Sequence, residues 1–193
     1  MQTDLSSLVN QTIILVIGAA RSGKSEWAEH LANNSSKSVV YVATAMMNPQ
    51  DREWQAKILQ HQQRRPRDWT TIVEPKNLVE VIEQARPTQC LLVDSLGTWV
   101  ANLLEVETNN WETITRNLLL LLTRTKAQII FVGEETGWGI VPAYASGRLF
   151  RDRLGHLIRQ IGSLSDVAYL VVGGHVLNLS LIGISLDRTT SAE

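Results

Sequence analysis

The eight residues Gly18-Ala19-Ala20-Arg21-Ser22-Gly23-Lys24-Ser25 fit the pattern G-x-x-x-x-G-K-[ST] in full. The chemistry explains the residue types. Glycines let a backbone curl until its N–H groups point inward around an anion. A helix that starts where the loop ends adds the positive end of its dipole. Lys24 can reach the β- and γ-phosphates of a nucleotide, and the Ser25 hydroxyl is a hard oxygen of the kind that Mg2+ takes. The pattern points to a nucleoside triphosphate and to transfer of phosphate-containing groups. Alone it does not separate a kinase from an ATPase or a switch protein.

A P-loop commonly works with an acid at the end of a neighbouring strand, which holds Mg2+ directly or through water. Asp94, at the end of Cys90-Leu91-Leu92-Val93, fits that place. The plainer reading is a carboxylate capping the next helix, a task Ser95 could equally perform. His61 is the second reactive candidate. It follows Trp54 and Ile58 at i+7 and i+3 on a helix expected over residues 49–64, so it lies in line with an apolar stripe. It is either a packed histidine or a nucleophile or general base at a pocket wall, because imidazole changes charge near neutral pH. Gln62, Gln63, Arg64, Arg65 and Arg67 follow it. Guanidinium groups clamp phosphates through paired N–H donors, although a basic helix end also complements the helix dipole.

A third group surrounds Glu134-Glu135-Thr136-Gly137-Trp138-Gly139-Ile140-Val141-Pro142. With a strand expected over 128–132, the loop from 133 to 144 leaves a carboxyl strand end, where open α/β sheets bind ligands. Glu134 and Glu135 could hold a substrate hydroxyl or bias a metal. Arg148 and Arg151, one turn apart on the next helix, are phosphate contacts or surface ion pairs. His30, His156 and His175 gain no support from their neighbours. No Cys/His cluster has the spacing of a structural zinc site.

These groups must be positioned by alternating elements. Strands are expected over 12–17, 38–42, 70–73, 89–93, 128–132 and 167–172. Helices are expected over 23–33, 49–64, 77–85 (with Asn77 as cap), 97–104, 111–125 and 145–164. The residues after 174 show no clear period. Alternation of this kind predicts a mainly parallel sheet with helices on both faces. At 193 residues the chain suits one domain over 1–193, with its core at about 12–174.

Composition narrows the partners. A formal net charge of -1 excludes a broad electrostatic grip on nucleic acid. The most apolar helical stretch, residues 118–122, is far shorter than the ~20 residues that span a bilayer. One cysteine and an N-terminal stretch without Lys or Arg suit the cytoplasm.

Taken together, these blocks resemble the cobinamide kinase/cobinamide-phosphate guanylyltransferase family of cobalamin biosynthesis. The blocks are the P-loop; Tyr41-Val42-Ala43-Thr44; His61 through Arg65-Pro66 with Trp69; Asp94 with Trp99 and Asn102-Leu103-Leu104; and Gly137-Trp138-Gly139-Ile140-Val141-Pro142 with Arg148-Leu149-Phe150-Arg151-Asp152. The resemblance implies a RecA-like three-layer P-loop α/β fold and a homotrimer. It implies phosphorylation of adenosylcobinamide by ATP or GTP, then transfer of GMP from GTP through a guanylylated histidine, which His61 matches. It places nucleotide contacts at Gly18 to Ser25, Ala43, Thr44, Ala45, Gln62 to Arg65, Glu74 and Asp94. Two other readings stand beside it: a P-loop kinase of another small metabolite, and a nucleotide-gated interaction protein.

Overall fold

The computed structural model describes residues 11–46 and 66–186. The apolar runs expected as strands lie side by side in them. The strands are β1 (Ile13–Gly18), β2 (Ser38–Ala43), β3 (Thr70–Val73), β4 (Gln89–Asp94), β5 (Gln128–Glu134), β6 (Val167–Val172) and β7 (His175–Asn178). They form one seven-stranded sheet in the order β3-β2-β4-β5-β1-β6-β7, parallel throughout except for the last pair. The helices are α1 (Lys24–Asn33), α2 (Leu78–Glu83), α3 (Leu96–Asn102), α4 (Thr108–Leu122), α5 (Ala145–Leu164) and α6 (Leu179–Ile182).

Each central strand is apolar on both sides because both sides are covered. Ile13, Leu15, Val40, Val42, Leu91, Val93, Ile129 and Phe131 pack against side chains of α2, α3, α4 and α5. The alternate residues Ile14, Val16, Val39, Tyr41, Leu92, Ile130 and Val132 pack against Ala28, Leu31 and Ala32 of α1. Trp99 of α3 is fully buried in the larger of these two cores. The result is the expected three-layer arrangement, helix–sheet–helix.

Three local expectations change. Gly133 and Glu134 belong to β5 rather than to a loop, because β5 keeps pairing with β1 up to Gly18↔Glu134. Asn77 stands at the start of α2 but its side chain makes no capping bond. Glu74 Oε1 instead orders the turn that leads into α2, accepting from Lys76 N at 2.9 Å and Asn77 N at 2.8 Å. The residues after 174 form the antiparallel strand β7 and the short helix α6, joined to β6 through Gly173 (φ 57°) and Gly174 (φ 75°). Two consecutive residues at positive φ make the tight turn that suits a two-residue hairpin. The helix expected over 49–64 falls wholly within residues 47–65, outside the described residues, as do His61, Gln62, Gln63, Arg64 and Arg65.

Candidate active site

The site grows from the carboxyl ends of five parallel strands, which the register brings level. Gly18 pairs with Glu134, and Ala43 with both Val73 and Asp94. Every expected nucleotide contact among the described residues lies at or just beyond one of these ends, while Arg148 and Arg151 stand on α5.

The phosphate loop turns from β1 into α1. Arg21 (φ 60°) and Gly23 (φ 92°) take left-handed backbone, which lets the chain reverse tightly enough to aim amides inward. Ser22 N donates to Ala19 O at 3.2 Å and closes the turn. Gly18 has no room for a side chain: a Cβ there would lie 2.5 Å from Ser22 Oγ and 2.6 Å from Val171 O. Ala19, Ala20 and Arg21 face solvent. The Lys24 ammonium arches back over the loop, 3.4 Å from Ala19 O. Ser25 Oγ donates to Asp94 Oδ1 at 3.4 Å, and the Tyr41 hydroxyl donates to Asp94 Oδ2 at 2.8 Å. Asp94 is therefore tied to the phosphate loop. The cap of α3 is Ser95, whose Oγ accepts from Thr98 N at 3.3 Å.

A hydroxyl and a carboxylate facing each other beside a phosphate cradle are hard oxygen donors, and that donor pair fits Mg2+. Among the described residues no cluster of three or more His, Cys, Asp or Glu side chains could hold a metal unaided. An ion at this place fits best as one carried in with nucleotide phosphates.

Glu134 lies between the phosphate loop and α3. Its Oε2 accepts from Gly97 N at 2.8 Å. Burial pushes its carboxyl above the usual value of 4.5; the Ser95 hydroxyl and the Lys24 charge oppose that rise and Asp94 adds to it. Burial also raises Glu135, whose N–H donates to Gly18 O at 3.0 Å. Glu74 moves the other way. The amides of Asn77 and Lys76 bond its carboxylate and hold it below 4.5. Glu74 N donates to Ala43 O at 2.9 Å, which places this turn beside the end of β2.

Arg148 and Arg151 fasten their own loop. Arg148 Nη1 donates to Pro142 O and Ala143 O, and Arg151 Nη2 donates to Gly137 O at 2.6 Å. The loop so held exposes Trp138, Ile140, Val141 and Tyr144, with Ile140 96 % exposed. His30 is exposed and stacks on Trp27 at 5.1 Å. His175 sits by the β6–β7 turn with Nδ1 2.8 Å from Gly173 O. His156 lines a cleft of about 800 Å3 between α4 and α5, lined also by Arg116 and Arg159. None of the phosphate-loop residues lines that cleft, so donor chemistry rather than cavity size locates the site.

Sequence reasoning missed Thr44's partners and one residue that serves them. Thr44 is fully buried; its Oγ1 donates to Ser95 O at 2.8 Å and accepts from Ser95 N at 2.9 Å. Asn102 Nδ2 donates to Thr44 O at 2.7 Å and to Pro75 O at 3.0 Å. The only signal for Asn102 was its place in a motif.

Comparison with known proteins agrees with this geometry. The profile of the family described as cobinamide kinase / cobinamide phosphate guanyltransferase matches residues 14–179. The bifunctional adenosylcobalamin biosynthesis protein CobP of Pseudomonas aeruginosa is 38% identical over 162 residues, covering 83% of this chain and 92% of that protein. Its Escherichia coli counterpart CobU is 34% identical over 177 residues, covering 84% and 96%. Among solved structures, an ATPase of a bacterial type III secretion system aligns with TM-score 0.56 at 13% identity, covering 95% of this chain and 61% of that one. A Pyrococcus horikoshii protein aligns with TM-score 0.50 at 9% identity, covering 89% and 86%. These likenesses support the P-loop fold alone.

Proposed function

The chain belongs to the cobinamide kinase / cobinamide phosphate guanyltransferase family, and on that premise we propose that it phosphorylates adenosylcobinamide and then guanylylates the product, both at the carboxyl edge of its sheet. The observation that carries the reading is the phosphate loop with Ser25 and Asp94 facing each other 3.4 Å apart, inside the segment that the family profile matches. That match disfavours an unrelated metabolite kinase or a nucleotide-gated interaction protein.

In the kinase step the substrate hydroxyl attacks the γ-phosphorus of ATP or GTP. An O–P bond forms, the β–γ bridge breaks and the hydroxyl proton leaves. Loop amides and Lys24 neutralise charge on the phosphates. Ser25 and Asp94 would hold Mg2+, which adds further neutralisation there when bound. Glu134 and Glu135 are the carboxylates nearest in sequence to the substrate loop, and their burial favours a carboxyl that can keep or take a proton. Arg148 and Arg151 complete that wall, and the exposed apolar tip of the loop suits a large macrocyclic substrate.

In the second step a nitrogen of His61 attacks the α-phosphorus of GTP and pyrophosphate leaves. The phosphate on cobinamide then attacks the same phosphorus, the P–N bond breaks, and His61 is restored. Ala43, Thr44, Ala45, Gln62, Gln63, Arg64, Arg65 and Glu74 are assigned to the nucleotide. We further place the protein in the cytoplasm, as its single cysteine suits, and assign it the trimer that the resemblance implies. Among the described residues no helix is long and apolar enough to cross a membrane.

Incubation with GTP labelled at the α-phosphate should leave an acid-labile adduct on wild-type protein and none on His61→Ala. Equal labelling of the two, or none on the wild type, refutes the covalent step.

A further inference from the structure

Helix α3 is short, yet it reaches the ends of three strands at once. Its N-terminal residues meet β5, where Gly97 N donates to Glu134 at 2.8 Å. Ser95, just before it, exchanges two hydrogen bonds with the Thr44 hydroxyl beyond β2. One turn apart at its C-terminal end stand Trp99 and Asn102, so they project from the same side. The Trp99 indole donates to Lys76 O at 2.9 Å, and Asn102 Nδ2 splits its two protons between Thr44 O at 2.7 Å and Pro75 O at 3.0 Å.

Both amide protons of Asn102 are thus spent on joining two turns that are distant in sequence. One is the turn that leaves β2 through Thr44. The other leaves β3 through Glu74 and Pro75 and is already bonded to β2 by Glu74 N and Ala43 O at 2.9 Å. No side chain but Asn or Gln offers two donors in one plane without a charge, and the two carbonyls would repel any carboxylate put there. A buried carbonyl left without its donor costs stability wherever it lies. These two carbonyls differ from others in where they sit: on the turns that carry Thr44 and Glu74, away from the phosphate loop, which lies beyond β4 and β5.

We propose that Asn102 is a positioning residue that holds the Thr44 and Glu74 turns at one fixed separation and so sets recognition of the nucleoside part of the nucleotide, while the phosphate loop recognises the phosphates independently. This rests on the nucleotide contacts assigned under the proposed function. Neither Asn102 nor Trp99 bonds the phosphate loop itself; the Thr44 turn meets it only through Asp94, whose O accepts from Thr44 N at 3.4 Å and whose Oδ1 accepts from Ser25 Oγ.

The test compares Kd for GTP with Kd for inorganic pyrophosphate, which can engage only the phosphate loop. Three proteins are measured: wild type, Asn102→Ala and Thr115→Val. The last removes a buried hydroxyl that bonds Trp111 O within α4, a helix with no residue assigned to the nucleotide, and controls for lost stability. In Asn102→Ala, GTP binding should weaken about tenfold while pyrophosphate binding changes less than about twofold. Asn102→Gln, which keeps both donors, should recover part of the loss. In Thr115→Val both ligands should bind as in the wild type. Parallel loss of both ligands in Asn102→Ala, tracking a fall in Tm, would mean a purely structural role and overturn the proposal. Unchanged GTP binding would overturn it too. If wild-type protein binds GTP no more tightly than pyrophosphate, the nucleotide contacts assigned to Thr44 and Glu74 fail first and this inference falls with them.

Discussion

Glu134 shows how one side chain can be placed by its partners and disturbed by its surroundings. The Gly97 amide and the Ser95 hydroxyl hold it in place, while burial favours its neutral form. The consequence for stability has a definite sign. As pH rises past 4.5 the unfolded chain gives up this proton while the folded chain retains it, so folding loses stability until the folded value is passed. Glu134→Gln removes the titration and keeps an acceptor for Gly97 N–H. Its Tm relative to wild type should therefore climb over the range above pH 4.5. A difference that stays flat across that range would show that burial does not control this carboxyl. Kinase turnover should fall in the same variant, since an amide cannot accept the hydroxyl proton.

At the scale of elements, Arg153 of α5 does for the opposite end of α3 what Glu134 does for its start. It is 6 % exposed, and its guanidinium donates to Leu103 O, Leu104 O and Val106 O while lying 5.1 Å from the Trp111 ring. Burial lowers its pKa. Arg153→Leu takes a charged donor from three carbonyls, of which Leu103 O keeps the Val106 amide at 3.1 Å, and should cost about 3 kcal/mol in chemical denaturation. A loss under about 1 kcal/mol would mean that water replaces the guanidinium freely. Such a bond was not legible in the sequence, because an arginine on a helix reads as exposed until the neighbouring turn is known. Other elements were legible. The strand and helix at 167–172 and 145–164 stand where apolar spacing put them, because their period is undisturbed. The hairpin after 172 was missed, because the residues after 174 show no clear period, although Val172-Gly173-Gly174-His175 is a two-glycine turn that could have marked it. Asn77 misled because local propensity favours its side chain as a cap, whereas it is the Asn77 carbonyl that accepts from Glu80 N, and Glu74 binds the Lys76 and Asn77 amides ahead of the helix.

For the whole molecule, Cys90 lies in the middle of the sheet, fully buried, with burial pushing its thiol up to about 12. Only the thiolate reacts readily. Native protein should therefore resist iodoacetamide, and its alkylation in rising denaturant should follow global unfolding as seen by far-UV circular dichroism. Alkylation well before that transition would show that the sheet opens locally around β4. The site as a whole was half legible. The phosphate loop and Asp94 announce themselves by pattern, but the pairing of Thr44 with Ser95 and Asn102 spans some fifty or more positions and has no local signature. The strand order has one more implication. β1 carries the phosphate loop, yet its neighbours β5 and β6 come far later in the chain. During synthesis it must wait, unpaired and apolar, until β5 has left the ribosome, and its second edge stays open until β6 follows. The nucleotide cradle is thus among the last parts of the sheet to close, and a nascent chain cut short before β6 should fail to retain a nucleotide.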